Sequence, residues 1–225
     1  MKLTISKKLK TILPDFTVSA YTFDLLEQNN ENVLSEDITK AFYDITKKYQ
    51  AMYTLTDVVN ILRIKQTRDG YKALGKDPSH TRPACEALLR RIIKDGMIYR
   101  LGNVIDIGNL ISLYFLKSVC VVDLDKIVGD IYIREGRADD EYSGINRGKI
   151  NVEHLPLYTD DVSPFGNPTS DTIRTAITSK TKRVLIMLIH FNQENVVIDE
   201  LAMLHILNQY LEIKNLCKIN YEEKD

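Results

Sequence analysis

The longest unbroken apolar stretch, Val184–Phe191, constrains this chain most: it runs for eight residues with only His190 inside it. A membrane-crossing helix needs ~20 apolar residues, so the stretch falls far short of a span. It is β-branched at its start and too short for a helix of ordinary length, and it reads as a strand. Hydrophobic residues make up 44% of the chain and charged residues 27%, which are the values of a globular protein. The 225 residues fit one large domain or two small ones. A chain of that size buries roughly 70% of its unfolded surface, enough for a genuine core. Ten glycines and six prolines are too few for a linker-rich or low-complexity protein.

Thirty basic side chains stand against thirty-one acidic ones. A protein that grips nucleic acid mainly through counterion release is usually clearly basic. The balance argues against bulk coating of nucleic acid and leaves open a local patch for one structured RNA. Cys85, Cys120 and Cys217 are far apart and never form CxxC, which suits a reducing compartment better than a disulfide scaffold or a zinc site. The N-terminal MKLTISKKLK has no apolar core of a signal peptide. A soluble cytoplasmic protein is expected, with no membrane partner, metal or cofactor. GxxxxGKS/T, GxGxxG, GxSxG and HExxH are all absent. Of the four scattered histidines, His190 and His205 read as satisfied or surface groups.

Local patterns place the elements. Thr17–Phe23 alternates as a strand, and Ser35 opens a helix to about Gln50 with acids in its first turn. Thr54 and Asp57 match a capping box for a helix to about Ile64, followed by a polar passage containing Gly70, Gly75 and Pro78. After Pro83, the residues Cys85, Leu88, Leu89, Ile92 and Ile93 form one apolar helical stripe that Gly96 stops. Asp106–Leu116 reads as an apolar helix, Val119–Leu124 and Asp130–Arg134 as strands, and Arg137–Asn151 as a turn region. The last helix is expected over about Val197–Cys217. Strands and helices interleave without a regular βαβ rhythm, so the fold class is α+β, a mixed sheet with helices.

Three features could carry chemistry. Asn103, Asp106, Asn109 and Ser112 recur every three residues on the apolar helix. An unsatisfied buried polar group costs ~1–3 kcal/mol, so that row needs partners. Either Asn103 and Asp106 cap the helix and the other two pack on backbone, or Asn109 lines a pocket. In Pro164–Arg174, the residues Gly166, Asn167 and Pro168 impose a tight turn. Thr169, Ser170, Asp171 and Arg174 then supply two hydroxyls, a carboxylate and a guanidinium. Asp171 could meet an ammonium and Arg174 a carboxylate or phosphate. Equally, the segment could be a structural loop closed by an Asp171–Arg174 ion pair. Finally, the helix after Pro83 carries Arg90, Arg91 and Lys94 on its polar face, with Arg90 four residues after Glu86 as an ordinary helix pair. That face is either simply solvated or, with Lys180, Lys182 and Arg183, a modest phosphate-tracking patch.

Four blocks in order, RPACEALLRRI (Arg82–Ile92), NVIDIGNLISL (Asn103–Leu113), DLDKIVGDI (Asp123–Ile131) and DxxRTAITSKTKRVLI (Asp171–Ile186), carry a family likeness. Between about Leu74 and Phe191 the chain resembles the B3/B4 tRNA-binding and editing domain of the phenylalanyl-tRNA synthetase beta chain. The resemblance implies an α+β core over 67–195, with a strand and helices of 1–66 packed on it and a C-terminal helix in 196–225. It implies a cleft between a helical portion and a sheet. In the synthetase that cleft hydrolyses tyrosine wrongly esterified to the phenylalanine tRNA, because one pocket cannot reject every near-isostere. The implied partners are the charged acceptor end of a tRNA and its amino-acid moiety. The implied roles are Thr169, Ser170 and Asp171 at the ester, Asn109, Cys120 and Arg174 in substrate binding, and Arg90, Arg91 and Lys94 on RNA.

Two departures from the family bear on the substrate. Cys120 stands where the family usually has histidine, and Pro168–Asp171 replaces a glycine-rich loop. A pocket changed in this way should favour an amino acid other than tyrosine. The chain is too short for the aminoacylation domains of the synthetase, so ligase activity is not expected. The rival reading is a non-catalytic module that holds a tRNA or a free amino acid on the same fold.

Overall fold

A computed structural model describes residues 1–26 and 34–224. Residues 27–33 of the expected 1–66 unit, and residue 225, lie outside the described residues. In chain order the elements are β1 (Leu3–Ser6), α1 (Lys7–Ile12), β2 (Thr17–Leu25), α2 (Glu36–Met52), α3 (Leu62–Ala73), α4 (Ala84–Asp95) and α5 (Asn103–Phe115). They continue with β3 (Val119–Asp123), β4 (Ile131–Glu135), β5 (Ser143–Gly144), β6 (Gly148–Lys149), β7 (Pro156–Thr159), β8 (Pro164–Asn167) and β9 (Ser170–Asp171). The last four are β10 (Arg183–His190), α6 (Val196–Tyr210), β11 (Ile213–Ile219) and β12 (Tyr221–Lys224).

The strands form a mixed six-stranded sheet in the order β12-β1-β4-β7-β8-β9, a four-stranded antiparallel sheet in the order β11-β2-β10-β3, and the small β5–β6 ribbon. The α+β class read from the sequence is the class observed. The apolar run becomes β10, and its alternation explains the layering. Val184, Ile186 and Leu188 face a core built with α2, α4, α5 and α6, while Leu185, Met187 and Ile189 face the core between the two sheets. A strand buried on both faces needs no polar alternation, which is why the sequence shows none. No helix among the described residues is long and apolar enough to cross a membrane.

Ser35 caps α2 as expected, accepting from the Ile38 N–H at 3.4 Å, and Gly96 ends α4 in the left-handed region at φ 72°. Two expected boundaries are corrected. Asp57 does accept from the Thr54 N–H at 2.7 Å, but the helix there begins only at Leu62 and runs through Gly70 to Ala73. Position 70 of that helix takes a glycine because the Phe191 ring occupies the space a Cβ would need. The last helix stops at Tyr210; Ile213–Ile219 instead pairs with β2, with a bulge between Lys214 and Cys217.

A buried polar chain ties α6 to the four-stranded sheet. Lys117 donates to His190 Nδ1 and to Asp199 Oδ2, both at 2.7 Å, and Arg63 also reaches Asp199, with Nη2 3.3 Å from Oδ1. With Nδ1 accepting, the His190 ring proton lies on Nε2 and donates to Ser19 Oγ at 3.1 Å; Ser19 in turn donates to Glu200 at 3.0 Å. Burial and the neighbouring Lys117 depress His190 to about 3, so the ring is neutral. Neither ring nitrogen is left to take a proton from Ser19. The pair therefore lacks the acceptor that a serine–histidine nucleophile requires.

Candidate functional site

The β8–β9 hairpin ends the six-stranded sheet, and β3 is the outer strand of the four-stranded one. Asp171 joins these two edges. Its carboxyl lies beside the Val121 backbone N–H and the Cys120 thiol, both of which favour its charged form. The turn before it is tight because Asn167 Oδ1 accepts from the N–H groups of Thr169 (2.8 Å) and Ser170 (3.2 Å). The Pro168 carbonyl is fixed by the first N–H of α4, Ala84 (2.9 Å), and by Ser118 Oγ (2.8 Å). The start of α4 therefore abuts the loop.

Gly166 makes room for the cluster. A Cβ there would stand 2.7 Å from Asp171 Oδ1, 2.8 Å from the Tyr158 ring and 3.4 Å from Cys120 Sγ. Gly166→Ala is expected to destabilise the fold by ~1–3 kcal/mol through overpacking and to push Asp171 from its place. A thermal-denaturation midpoint unchanged from the parent would show that the carboxyl is not held there.

Three tyrosines complete the enclosure. The Tyr71 hydroxyl and Thr169 Oγ1 share a hydrogen bond of 2.9 Å, and the Tyr142 hydroxyl donates to the Ser170 carbonyl. The Tyr158 hydroxyl and Asn167 Nδ2 are buried and have no hydrogen-bond partner among the described residues. Burial raises Asp171 to about 7 against the opposing pull of its thiol and amide donors, and it raises the Cys120 thiol well above the ordinary range, helped by Asp171. Cys120 consequently remains a protonated donor and not a thiolate nucleophile. A carboxyl that exchanges a proton near neutral pH is suited to general acid–base work or to meeting a cation.

The structure brings Cys120, Thr169, Ser170 and Asp171 together, and it places the other expected residues elsewhere. Arg174 does not pair with Asp171. Its guanidinium is committed to Asp160 (2.9 and 3.1 Å) and to the carbonyls of Lys126 (3.0 Å) and Ser163 (3.1 Å), so it clamps two loops. Asn109 belongs to α5, which packs on the helical face of the four-stranded sheet, whereas Cys120 faces the core between the sheets. The two cannot share one pocket floor. The rest of the polar row on α5 is structural. Asp106 accepts from Arg100 (2.6 Å) and the Leu101 N–H (2.9 Å), Asn103 accepts from the Ser35 N–H (2.9 Å), and Ser112 donates to the Lys117 carbonyl (2.7 Å). Arg90 bonds to Glu86 (2.7 Å) and to the Leu55 carbonyl (3.0 Å), while Arg91 and Lys94 are exposed on the same helix. Among the described residues no group of three or more His, Cys, Asp or Glu side chains is placed to hold a metal.

Sequence reasoning missed Tyr71, Tyr142 and Tyr158 as members of the cluster and read Asn167 only as a former of the turn. The one available signal was Tyr158 inside the short apolar stretch Leu155–Thr159.

All of these residues lie within 66–203, the segment that matches the B3/4 domain. That segment is more than half of the chain. The protein belongs to the B3/4 domain family. Its fold is similar to that of an N-terminal fragment of the phenylalanyl-tRNA synthetase beta-subunit from Pyrococcus horikoshii, with a TM-score of 0.52 at 14% identity. The likeness covers 99% of this chain and 52% of that one, so the chain spans about half the length of the fragment. No curated protein matches the sequence. Within the B3/4 match lie most of α3, all of α4, α5 and β3 to β10, and the joined sheet edges that hold Asp171.

Proposed function

We propose that this B3/4 protein hydrolyses, in trans, the ester of a wrong amino acid on a charged tRNA. The observation that carries this reading is Asp171, a carboxyl poised near neutral pH beside thiol and amide donors, with the Tyr158 hydroxyl and the Asn167 side-chain Nδ2 unpaired among the described residues nearby. An aminoacyl ester is activated enough to be cleaved by an oriented water once donors meet the developing oxyanion. Ionised Asp171 takes a proton from that water or meets the α-ammonium of the amino acid. The Thr169 and Ser170 hydroxyls and the Asn167 amide are the donors, and Cys120 stays protonated as a wall. Exposed cations on α4 approach the RNA.

The test is incubation of the chain with a panel of tRNAs, each carrying a labelled wrong amino acid. Release of at least one amino acid faster than in buffer is the expected result. If none is released faster, the hydrolytic reading fails and a binding module remains.

A further inference from the structure

At the Glu135 end of β4 lies a cavity of about 410 Å³, whose charged lining is Lys8, Arg134, Glu135, Arg137, Glu153 and His154. Small-molecule pockets run to ~300–1,000 Å³, so the volume suits a small ligand. Ile131 and Ile133 turn into the core between the two sheets, so Tyr132 and Arg134 leave the other face of β4. Cys120, beside Asp171, faces that core, and no lining residue of the cavity belongs to the Asp171 cluster. The two sites are separate.

Most of the charge around the cavity is paired. Glu135 Oε2 lies 2.9 Å from Lys8 Nζ, and Asp140 takes both ends of the Arg134 guanidinium at 2.7 and 2.6 Å. Burial pulls the Glu135 carboxyl up, but Lys8 and His154 outweigh it and hold the group below its ordinary value. His154 Nδ1 stands 2.9 Å from that carboxylate. In the neutral ring Nδ1 therefore carries the proton, and Nε2 carries the lone pair. Nε2 is 3.7 Å from Glu153 Oε1, and no described residue donates to either atom. The ring is aimed there by its backbone. His154 sits in the left-handed region at φ 65°, costly for a residue with a Cβ, and its N–H donates to the Gly136 carbonyl at 3.0 Å. Position 136 takes a glycine because a Cβ would lie 2.1 Å from the Val152 carbonyl oxygen. Arg137, next to it, is exposed, and its guanidinium donates to no described residue. A pair of acceptors and a guanidinium, of opposite charge, are thus left without partners on one cavity.

We propose that this cavity binds a free α-amino acid as its zwitterion. The ammonium donates to Glu153 and to His154 Nε2 together, and the carboxylate lies on the Arg137 fork. A ligand with one charge of each sign completes both partnerless groups. A bare anion would meet Arg137 and be repelled by Glu153, so the same arrangement rejects it. The site goes beyond ester hydrolysis at Asp171 and does not depend on it.

The test is nuclear magnetic resonance of the full chain with nitrogen-15 in its histidine rings, at about pH 8, where an ordinary histidine is neutral. His154→Asn identifies the His154 signals by their loss, since asparagine accepts the left-handed backbone. Titration with the common α-amino acids in turn should shift those signals saturably for at least one of them. Its N-acetyl and carboxamide derivatives each lack one charge and should bind at least ~10-fold more weakly, the worth of a charge-assisted hydrogen bond. Glu153→Gln and Arg137→Gln should each weaken binding by as much, while Lys40→Gln on α2 should leave it unchanged. The derivatives need no substitution and decide the matter if a variant fails to fold. No shift with any amino acid, equal binding of a derivative, unaltered affinity in either folded variant, tighter binding of inorganic phosphate, or a proton on Nε2 of the free protein would each overturn the proposal. Binding here without release of amino acid from tRNA overturns only the hydrolytic reading; release without binding here overturns only the zwitterion site.

Discussion

Asp199→Ala is expected to destabilise the protein by ~3–5 kcal/mol, because it strands a buried cation. Two cations meet that carboxylate. Arg63 is 25% exposed on its side chain and can turn to water, but Lys117 is 5% exposed and cannot. The cost should appear as a lower urea midpoint with an unchanged slope. Adding Lys117→Met to Asp199→Ala removes the stranded charge, and the methionine fills the same apolar space. The double variant should therefore be more stable than Asp199→Ala alone, with a coupling of ~1–3 kcal/mol between the two sites. Strict additivity would mean that Lys117 and Asp199 do not depend on each other.

Asp171→Asn is expected to lower the rate of amino-acid release by at least ~100-fold, the lower range for loss of a positioned acid–base group. It should also change how stability depends on pH. In the folded protein Asp171 titrates near 7, above its ordinary 3.8, so the native state keeps a proton that the unfolded chain releases in between. Its contribution is full below 3.8 and is lost as pH rises through about 7. Asparagine imitates the protonated side chain. Relative to the parent, the variant should gain stability from about pH 4 to 7 and then level off. His190 has the opposite sign: with a folded value near 3 against 6.5, its contribution is present above 6.5 and is lost as pH falls towards 3. The two slopes oppose each other in the parent, so removing Asp171 should leave a stability that climbs more steeply between pH 4 and 6.5. Urea titrations at several pH values check this; parallel curves for parent and variant would show that Asp171 ionises normally in the folded state.

Much of the frame was legible because it is local. The β10 run, the apolar stripe of α4 with its Gly96 stop, and the Ser35 cap each follow from a few neighbouring residues. The end of the chain misled because Leu211 and Leu216 continue a helical stripe while Ile213, Cys217 and Ile219 alternate. Pairing with β2 decides in favour of the strand, a tertiary choice that the local pattern leaves open. Half of the candidate site was legible for a related reason. Thr169, Ser170 and Asp171 announce themselves in one turn, but Tyr71 on α3, Tyr142 in the loop before β5 and Tyr158 on β7 come from separate parts of the chain and leave no periodic trace. Arg174 read as an anion contact or as the partner of Asp171 because its true partner, Asp160, lies fourteen residues upstream on another loop.

The most direct measurement is the pH profile of amino-acid release from a mischarged tRNA by the parent and by Asp171→Asn. The parent rate should rise through about pH 7, as the Asp171 carboxyl ionises, and the variant should show neither the rate nor the rise. A parent that releases no amino acid faster than buffer, or a variant whose profile overlays the parent's, would contradict a hydrolytic role for this site.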